Sequence, residues 1–250
     1  MKTILTMAAT VLALSAVVSA AALNALTDEE LLRSMDEARF LSSASTTLDA
    51  EVIAEEGGEV STARLTLMLR EEGEESFVRI EFQSPEELSG QVFLSIPSGT
   101  YFWQPELFEP IRTSATQAAF GDAAVAQISG VRFEGNYQVT ARSEVNDGVL
   151  WKLELAALRP DVAFQSLAVL VDPDSLRPQE LLLYSATDTL LYTVVVESYA
   201  ELQGDLYAQS QLVENALIEG NRTRLIILEA RIEELPRELF DPDELSDDKF

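Results

Sequence analysis

The 250-residue chain contains neither cysteine nor histidine. Without cysteine there is no disulfide framework, no thiolate-ligated zinc or iron–sulfur cluster, and no thiol nucleophile. Without histidine the commonest general base and the commonest metal ligand are gone, which excludes Ser-His-Asp hydrolysis and histidine-ligated metal chemistry. Positive charge is scarce too: 17 Lys and Arg stand against 43 Asp and Glu, for a net charge of −26. Such a surface repels phosphate backbones, so no nucleic-acid partner is expected. It also repels an anionic membrane surface, so any lipid contact would run through a pocket rather than a basic face. Solubility alone accounts for the same charge. The many carboxylates show no distinctive spacing, which leaves an enzyme working through paired carboxylates as the weakest reading. No catalytic residue, metal or cofactor is expected.

What is present begins with "MKTILTMAATVLALSAVVSAAALNA". Lys2, an uncharged run from Ile4 to Val18 and then small residues form the three regions of a secretory signal peptide. Small residues at Ser19, Ala20, Ala21 and Ala22 place cleavage between about Ala20 and Ala22. The expectation is a signal peptide over residues 1–22 and one domain over residues 23–250, in the periplasm if the cell has one. An uncleaved anchor is the competing reading, against which the Ala, Ser and Thr content makes the run weakly hydrophobic. No cysteine follows the run, so the mature chain cannot carry a diacylglyceryl anchor. Nothing later in the sequence is long and apolar enough to cross a bilayer.

The stretch "LTDEELLRSMDEARF" predicts an amphipathic helix, with Thr27 as cap, acidic residues in the first turn, and Leu31, Leu32, Met35 and Ala38 at helical spacing. The period then changes to two. "TTLDAEVIAEE" alternates Leu48, Ala50, Val52 and Ala54 with Asp49, Glu51 and Glu55. After Gly57-Gly58, "STARLTLMLR" sets Ala63, Leu65, Leu67 and Leu69 on one face, and "SFVRIEFQ" repeats the pattern. "QVFLSIP" and "TYFWQ" follow, split by a Pro97-Ser98-Gly99 turn. Later come "NYQVTARS", "GVLWKLELA", "SLAVLVD", "QELLLYS", "LLYTVVVESY", "LYAQSQLVE" and "RTRLIILEA". That makes about a dozen strands joined mostly by short turns, such as Asn146-Asp147-Gly148. "AAFGDAAVAQIS" reads as a short helix, and "ELPRELFDPDEL" as a terminal turn or helix. One curved antiparallel sheet is expected rather than two domains. Its concave face must close, sandwich or be covered, and the helices near residues 27–40 and 117–129 are the available covers.

In their order these features resemble the LolA/LolB-like family of outer-membrane lipoprotein-sorting carriers, taken broadly, through essentially the whole mature chain. The residues that carry the resemblance are the opening helix "DEELLRSMDEAR", the junction "SPEELSGQVFLSIP" with Pro85 and Gly90, and the aromatic-proline strand "YFWQPELFEPIR". To these add "FGD" at Phe120 to Asp122, where the family pattern has a Ser before the Asp, and "LAVLVDPDSLRPQELLLYSATDTLLYTVVV". "NRTRLIILEARIEELPRELFDPDEL" stands for the last strand and closing segment. The resemblance implies a mainly β fold: a strongly curved, unclosed half-barrel of antiparallel strands around a hydrophobic cavity lidded by helices. It implies a non-enzymatic monomer that carries lipoprotein acyl chains or lipid between a membrane-protein donor and acceptor. A periplasmic sensor or interaction module on the same fold, similar to RseB-like regulators, is the alternative. Chosen by alternation, the inward cavity residues are Leu65, Leu67, Leu69, Val78, Ile80, Phe82, Val92, Leu94, Phe102, Trp151, Leu153 and Leu155. A slip of one residue in register would exchange the whole face.

Overall fold

The computed structural model describes residues 26–41, 45–73, 75–146 and 148–245. The expected signal peptide, the Gly-flanking Asp147 and the last five residues lie outside them. Helix α1 (Asp28–Glu37) starts where the sequence places it. Glu30 N–H donates to Thr27 Oγ1 at 3.2 Å and Thr27 N–H to Glu30 Oε2 at 2.9 Å, a reciprocal cap. The Thr27 N–H, with the Thr27 hydroxyl at 2.8 Å from the same oxygen, holds the Glu30 carboxyl below its ordinary range. Leu31, Leu32 and Met35 are buried on one face, whereas Ala38 is only half-buried.

Strands β1 (Ser45–Glu56), β2 (Glu59–Glu72), β3 (Glu75–Ser84), β4 (Val92–Ile96), β5 (Gly99–Trp103) and β6 (Ile111–Thr113) step outward as a meander. The segment expected to be a short helix is instead a hairpin, β7 (Ala118–Phe120) and β8 (Ala123–Ala124), followed by the five-residue helix α2 (Val125–Ser129). Gly121 has a φ of +53° and makes the hairpin turn where continuous helix would have required a right-handed residue. A second meander then runs through β9 (Tyr137–Val145), β10 (Leu150–Ala157), β11 (Ser166–Val171), β12 (Pro178–Tyr184), β13 (Leu190–Leu202), β14 (Asp205–Asn215) and β15 (Arg222–Ile232).

The two meanders join through β1 and β15, making one 13-stranded antiparallel sheet with β6 and β9 at its edges. The edges do not pair with each other, so the sheet is not closed into a barrel. The chain between them, residues 114–136, travels from one edge to the other across the concave face. Cross-strand register fixes that face: Phe102 lies opposite Phe93, Phe93 opposite Ile80, Ile80 opposite Leu67, and Leu67 opposite Leu48. The same face continues through Ala50 and Ile227 to Val194, Leu181, Val169 and Leu153.

The concave face is filled in two halves. Over β9–β13, α1 and Phe133 pack on Trp151, Leu153, Leu155, Val169 and Leu181. Over β1–β5 and β15, the hairpin and α2 pack Phe120, Ala123, Val125 and Ile128 on Leu65, Ile80, Phe82 and Phe93. A third cluster lies on the convex face. There the tail after β15, with 3-10 turns at Arg237–Phe240 and Pro242–Glu244, brings Leu235, Phe240 and Leu245 onto Phe77, Val92, Leu94 and Trp103. Phe240 meets Phe77 edge-on at 6.2 Å, and the Arg237 guanidinium sits 3.7 Å from the Phe77 ring centre.

Candidate functional site

Where the two inner halves meet, a cavity of about 50 Å³ remains. Its floor is Leu48 of β1, Leu67 and Leu69 of β2, and Leu225 and Ile227 of β15, with Tyr207 of β14 beside them. Alternation on three adjacent strands aims these side chains inward. Ile128 of α2 and Gly130 roof the space. A void this size holds roughly three to five waters and is well below the ~150 Å³ that suits a benzene-sized guest. An acyl chain enters only if the roof moves.

The roof is pinned to the sheet at the Phe120-Gly121-Asp122 turn. Phe120 lies 6.3 Å from the Phe82 ring. The Asp122 carboxylate accepts from Asn215 Nδ2 at 3.0 Å and from Asn221 Nδ2 at 2.7 Å. Gly121 presses so close that a Cβ there would stand 2.5 Å from Ala54 Cβ. The "FGD" stretch, read from sequence as part of a helix, is the clasp that holds the crossing segment against the two central strands.

The mouth of the cavity is built from charged groups that pattern reading places outside. Asp36 and Arg39 are 5% and 3% exposed. The Asp36 carboxylate accepts from Arg39 Nη2 at 3.1 Å and from the Phe133 and Glu134 N–H groups, each at 2.9 Å, tying α1 to the crossing segment. Arg39 also donates to the Val131 carbonyl. Its guanidinium lies 4.5 Å from the Phe40 ring centre and 4.3 Å from that of Phe133. Arg132 lies 4.1 Å from the same Phe40 ring centre and donates to Glu71 at 2.6 Å. Phe40 in turn covers Gly130, where a Cβ would come within 2.6 Å of the ring. Burial pushes the Asp36 and Glu71 carboxyls up, opposed by Arg39 and Arg132 respectively, and burial lowers Arg39. Arg39, Phe40, Glu71 and Arg132 all line the cavity.

The structure brings most of the expected cavity residues to one face but not to one place. Leu67 and Leu69 line the cavity itself. Leu65, Val78, Ile80, Phe82 and Phe102 lie on the same face beneath the hairpin and α2, and Trp151, Leu153 and Leu155 beneath α1. Val92 and Leu94 are corrected: they lie opposite Glu81 and Arg79, on the convex face under the C-terminal tail. In "VFLSI" the residues Val92, Phe93 and Leu94 are all buried, because both faces of β4 are covered, so alternation carries no sign of which side is inner. Phe93 is the inward residue. Leu48 was legible by the same alternation, whereas Leu225 and Ile227 fall in the unbroken apolar run "LIIL", which does not show which side is inner. Arg39 and Arg132 carried no such signal.

A family model described as "Uncharacterized protein" matches residues 74–247. No curated protein matches the chain. Among solved structures, a LolA superfamily protein from Nitrosomonas europaea is similar at 24% identity and a TM-score of 0.76, over 88% of this chain and 100% of that one. A DUF1329 family protein from Desulfovibrio piger is 18% identical with a TM-score of 0.74, over 88% and 98%. A domain assigned to outer membrane lipoprotein sorting, from Vibrio parahaemolyticus, is 20% identical with a TM-score of 0.72, over 86% and 96%. The chain belongs to the family of that matching model, described as uncharacterized proteins, and it has the LolA-superfamily fold.

Proposed function

We propose that the protein is an exported, periplasmic carrier that shelters acyl chains of lipoproteins or lipids in its concave face for transfer toward the outer membrane, without chemical turnover. The observation that carries this reading is the leucine- and isoleucine-floored cavity at the middle of the inner face, roofed by a separate hairpin and short helix rather than by the sheet itself. At about 0.8 kcal/mol per buried methylene, an acyl chain of ordinary length needs on the order of 10 kcal/mol of apolar shelter. An exposed groove does not supply that, whereas parting the hairpin and α2 from the sheet would open the apolar inner surface of β1–β5 and β15 to a guest. Reversible delivery then needs a roof that docks again once the chain leaves.

The test is binding of an N-palmitoylated peptide carrying a fluorophore, to wild type and to Leu67→Glu. Wild type should bind near one to one and release the peptide unchanged. The variant, with its circular dichroism intact, should lose binding, because a carboxylate in this floor would be desolvated beside the acyl chain. Leu69→Glu, at a half-buried position of the same floor, gives the same reading should Leu67→Glu fail to fold. Undiminished binding by a folded variant would contradict the cavity, and a wild type that binds no acyl peptide would leave an interaction module on this fold.

A further inference from the structure

The mouth of the cavity offers unused hydrogen-bond donors where the floor offers only hydrocarbon. Arg39 lines the cavity, is 3% exposed, and its Nε–H has no partner. An arginine carries five N–H donors; here one nitrogen, Nη2, serves Asp36 and the Val131 carbonyl. Arg132 lines the same mouth and gives a bond to Glu71. The two carboxylates present are already engaged. Asp36 accepts from Arg39 and two backbone N–H groups, and Glu71 Oε1 accepts from Arg132 and Ser76. The demand left open at the mouth is for an acceptor, and a buried guanidinium donor without one is costly.

We infer that the cavity selects amphiphiles whose head is an anionic oxygen group, a carboxylate or a phosphate monoester, held by Arg39 and Arg132 while the hydrocarbon runs over Leu48, Leu67 and Ile227. This rests on the carrier reading and adds which ligands it takes. Planar guanidinium groups match such heads with paired, charge-assisted hydrogen bonds. Phe40, whose ring centre lies within 4.5 Å of both guanidinium groups and whose ring covers Gly130, adjoins the proposed head site, so head binding and roof opening would share one side chain. The long-range repulsion of a chain with net charge −26 falls off within a Debye length of roughly 10 Å and does not cancel donors in direct contact.

The experiment compares dodecanoate, dodecyl phosphate, dodecanol and dodecyltrimethylammonium by calorimetry on the delipidated mature protein. Both anions should bind at least about tenfold more tightly than dodecanol, and the cation most weakly. Dodecanoate ahead of dodecyl phosphate would assign the site to fatty-acid-like ligands, and the reverse order to phospholipid-like ones. Arg132→Gln should cut the anion preference severalfold and leave dodecanol unchanged. Asp36→Asn combined with Arg39→Gln, which keeps the pair while removing both charges, should abolish most of it. Should the double variant fail to fold, Arg132→Gln decides alone. Dodecanol binding as well as the anions, or an anion preference untouched in folded variants, would overturn this inference while leaving the carrier reading in place. No binding of any of the four would remove the carrier reading and this one with it.

Discussion

Replacing Gly121 by alanine drives a methyl group from the hairpin turn into the middle of the sheet. The backbone there has a φ of +53°, a left-handed conformation that costs a residue with a side chain roughly 1–2 kcal/mol. The added Cβ would stand 2.5 Å from Ala54 Cβ and 2.9 Å from Thr223 Oγ1. Both neighbours are 1% exposed and sit on the paired strands β1 and β15, which have no room to retreat. Overpacking of this kind costs about 1–3 kcal/mol. Together the two terms oppose docking of the turn by about 2–5 kcal/mol. The sheet does not need the turn in order to pair, so the penalty should fall on local undocking of residues 115–130 rather than on global unfolding. Amide hydrogen exchange resolves the difference. The lid amides of Gly121→Ala should exchange at least roughly thirtyfold faster than wild type, while β1 and β2 keep their protection. Equal lid protection in the two proteins would refute the argument that the Phe120-Gly121-Asp122 turn clasps the roof to the sheet.

Leu94→Ala probes the opposite face. Removing this fully buried side chain from beneath Phe240 and Leu245 should destabilise the protein by about 2–5 kcal/mol in urea, with acyl binding unchanged. A selective loss of binding would put Leu94 back in the cavity. The carboxyls predict opposite pH behaviour at two sites. Burial raises Glu71, so its contribution to stability is fully present below the ordinary carboxylate pKa and is lost as pH rises through the folded value. Glu71→Gln should therefore gain on wild type between about pH 4 and pH 7. Asp49 is lowered by its hydrogen bond from Arg231, so its contribution is fully present above the ordinary carboxylate pKa and is lost as pH falls through the folded value; Asp49→Asn should therefore lose ground on wild type as pH rises toward about pH 4 and run parallel to it above. Denaturation midpoints from about pH 2 to pH 7 check both signs, and curves parallel to wild type throughout would contradict them.

Strands were the most legible part of the sequence, because alternation is a local property and β1, β2, β3 and β10 show it cleanly. Which strands pair was less so. Nothing in the period of "RTRLIILEA" says that β15 lies beside β1, since that contact is made by the ends of two separate meanders. The faces of Val92 and Leu94 were illegible for a related reason: a strand covered by α2 and the hairpin on one side and by the C-terminal tail on the other loses its polar alternate positions. The hairpin of residues 118–124 was read as helix because alanines favour helix, while the constraint that decides it is the close approach of Gly121 to Ala54. The floor of the cavity was half visible in Leu67 and Leu69. Its mouth was not, because a buried Asp36–Arg39 pair at the end of an amphipathic helix has the sequence signature of an ordinary solvated helix end.

The proposed function turns on whether the inner face shelters an acyl chain. Native mass spectrometry of the mature protein, purified without detergent from a host that exports it, tests this most directly. A co-purified acyl species at near one to one, displaced when the protein is incubated with a lipidated peptide, is the expected result. A clean ligand-free mass that stays unchanged after that incubation would contradict it.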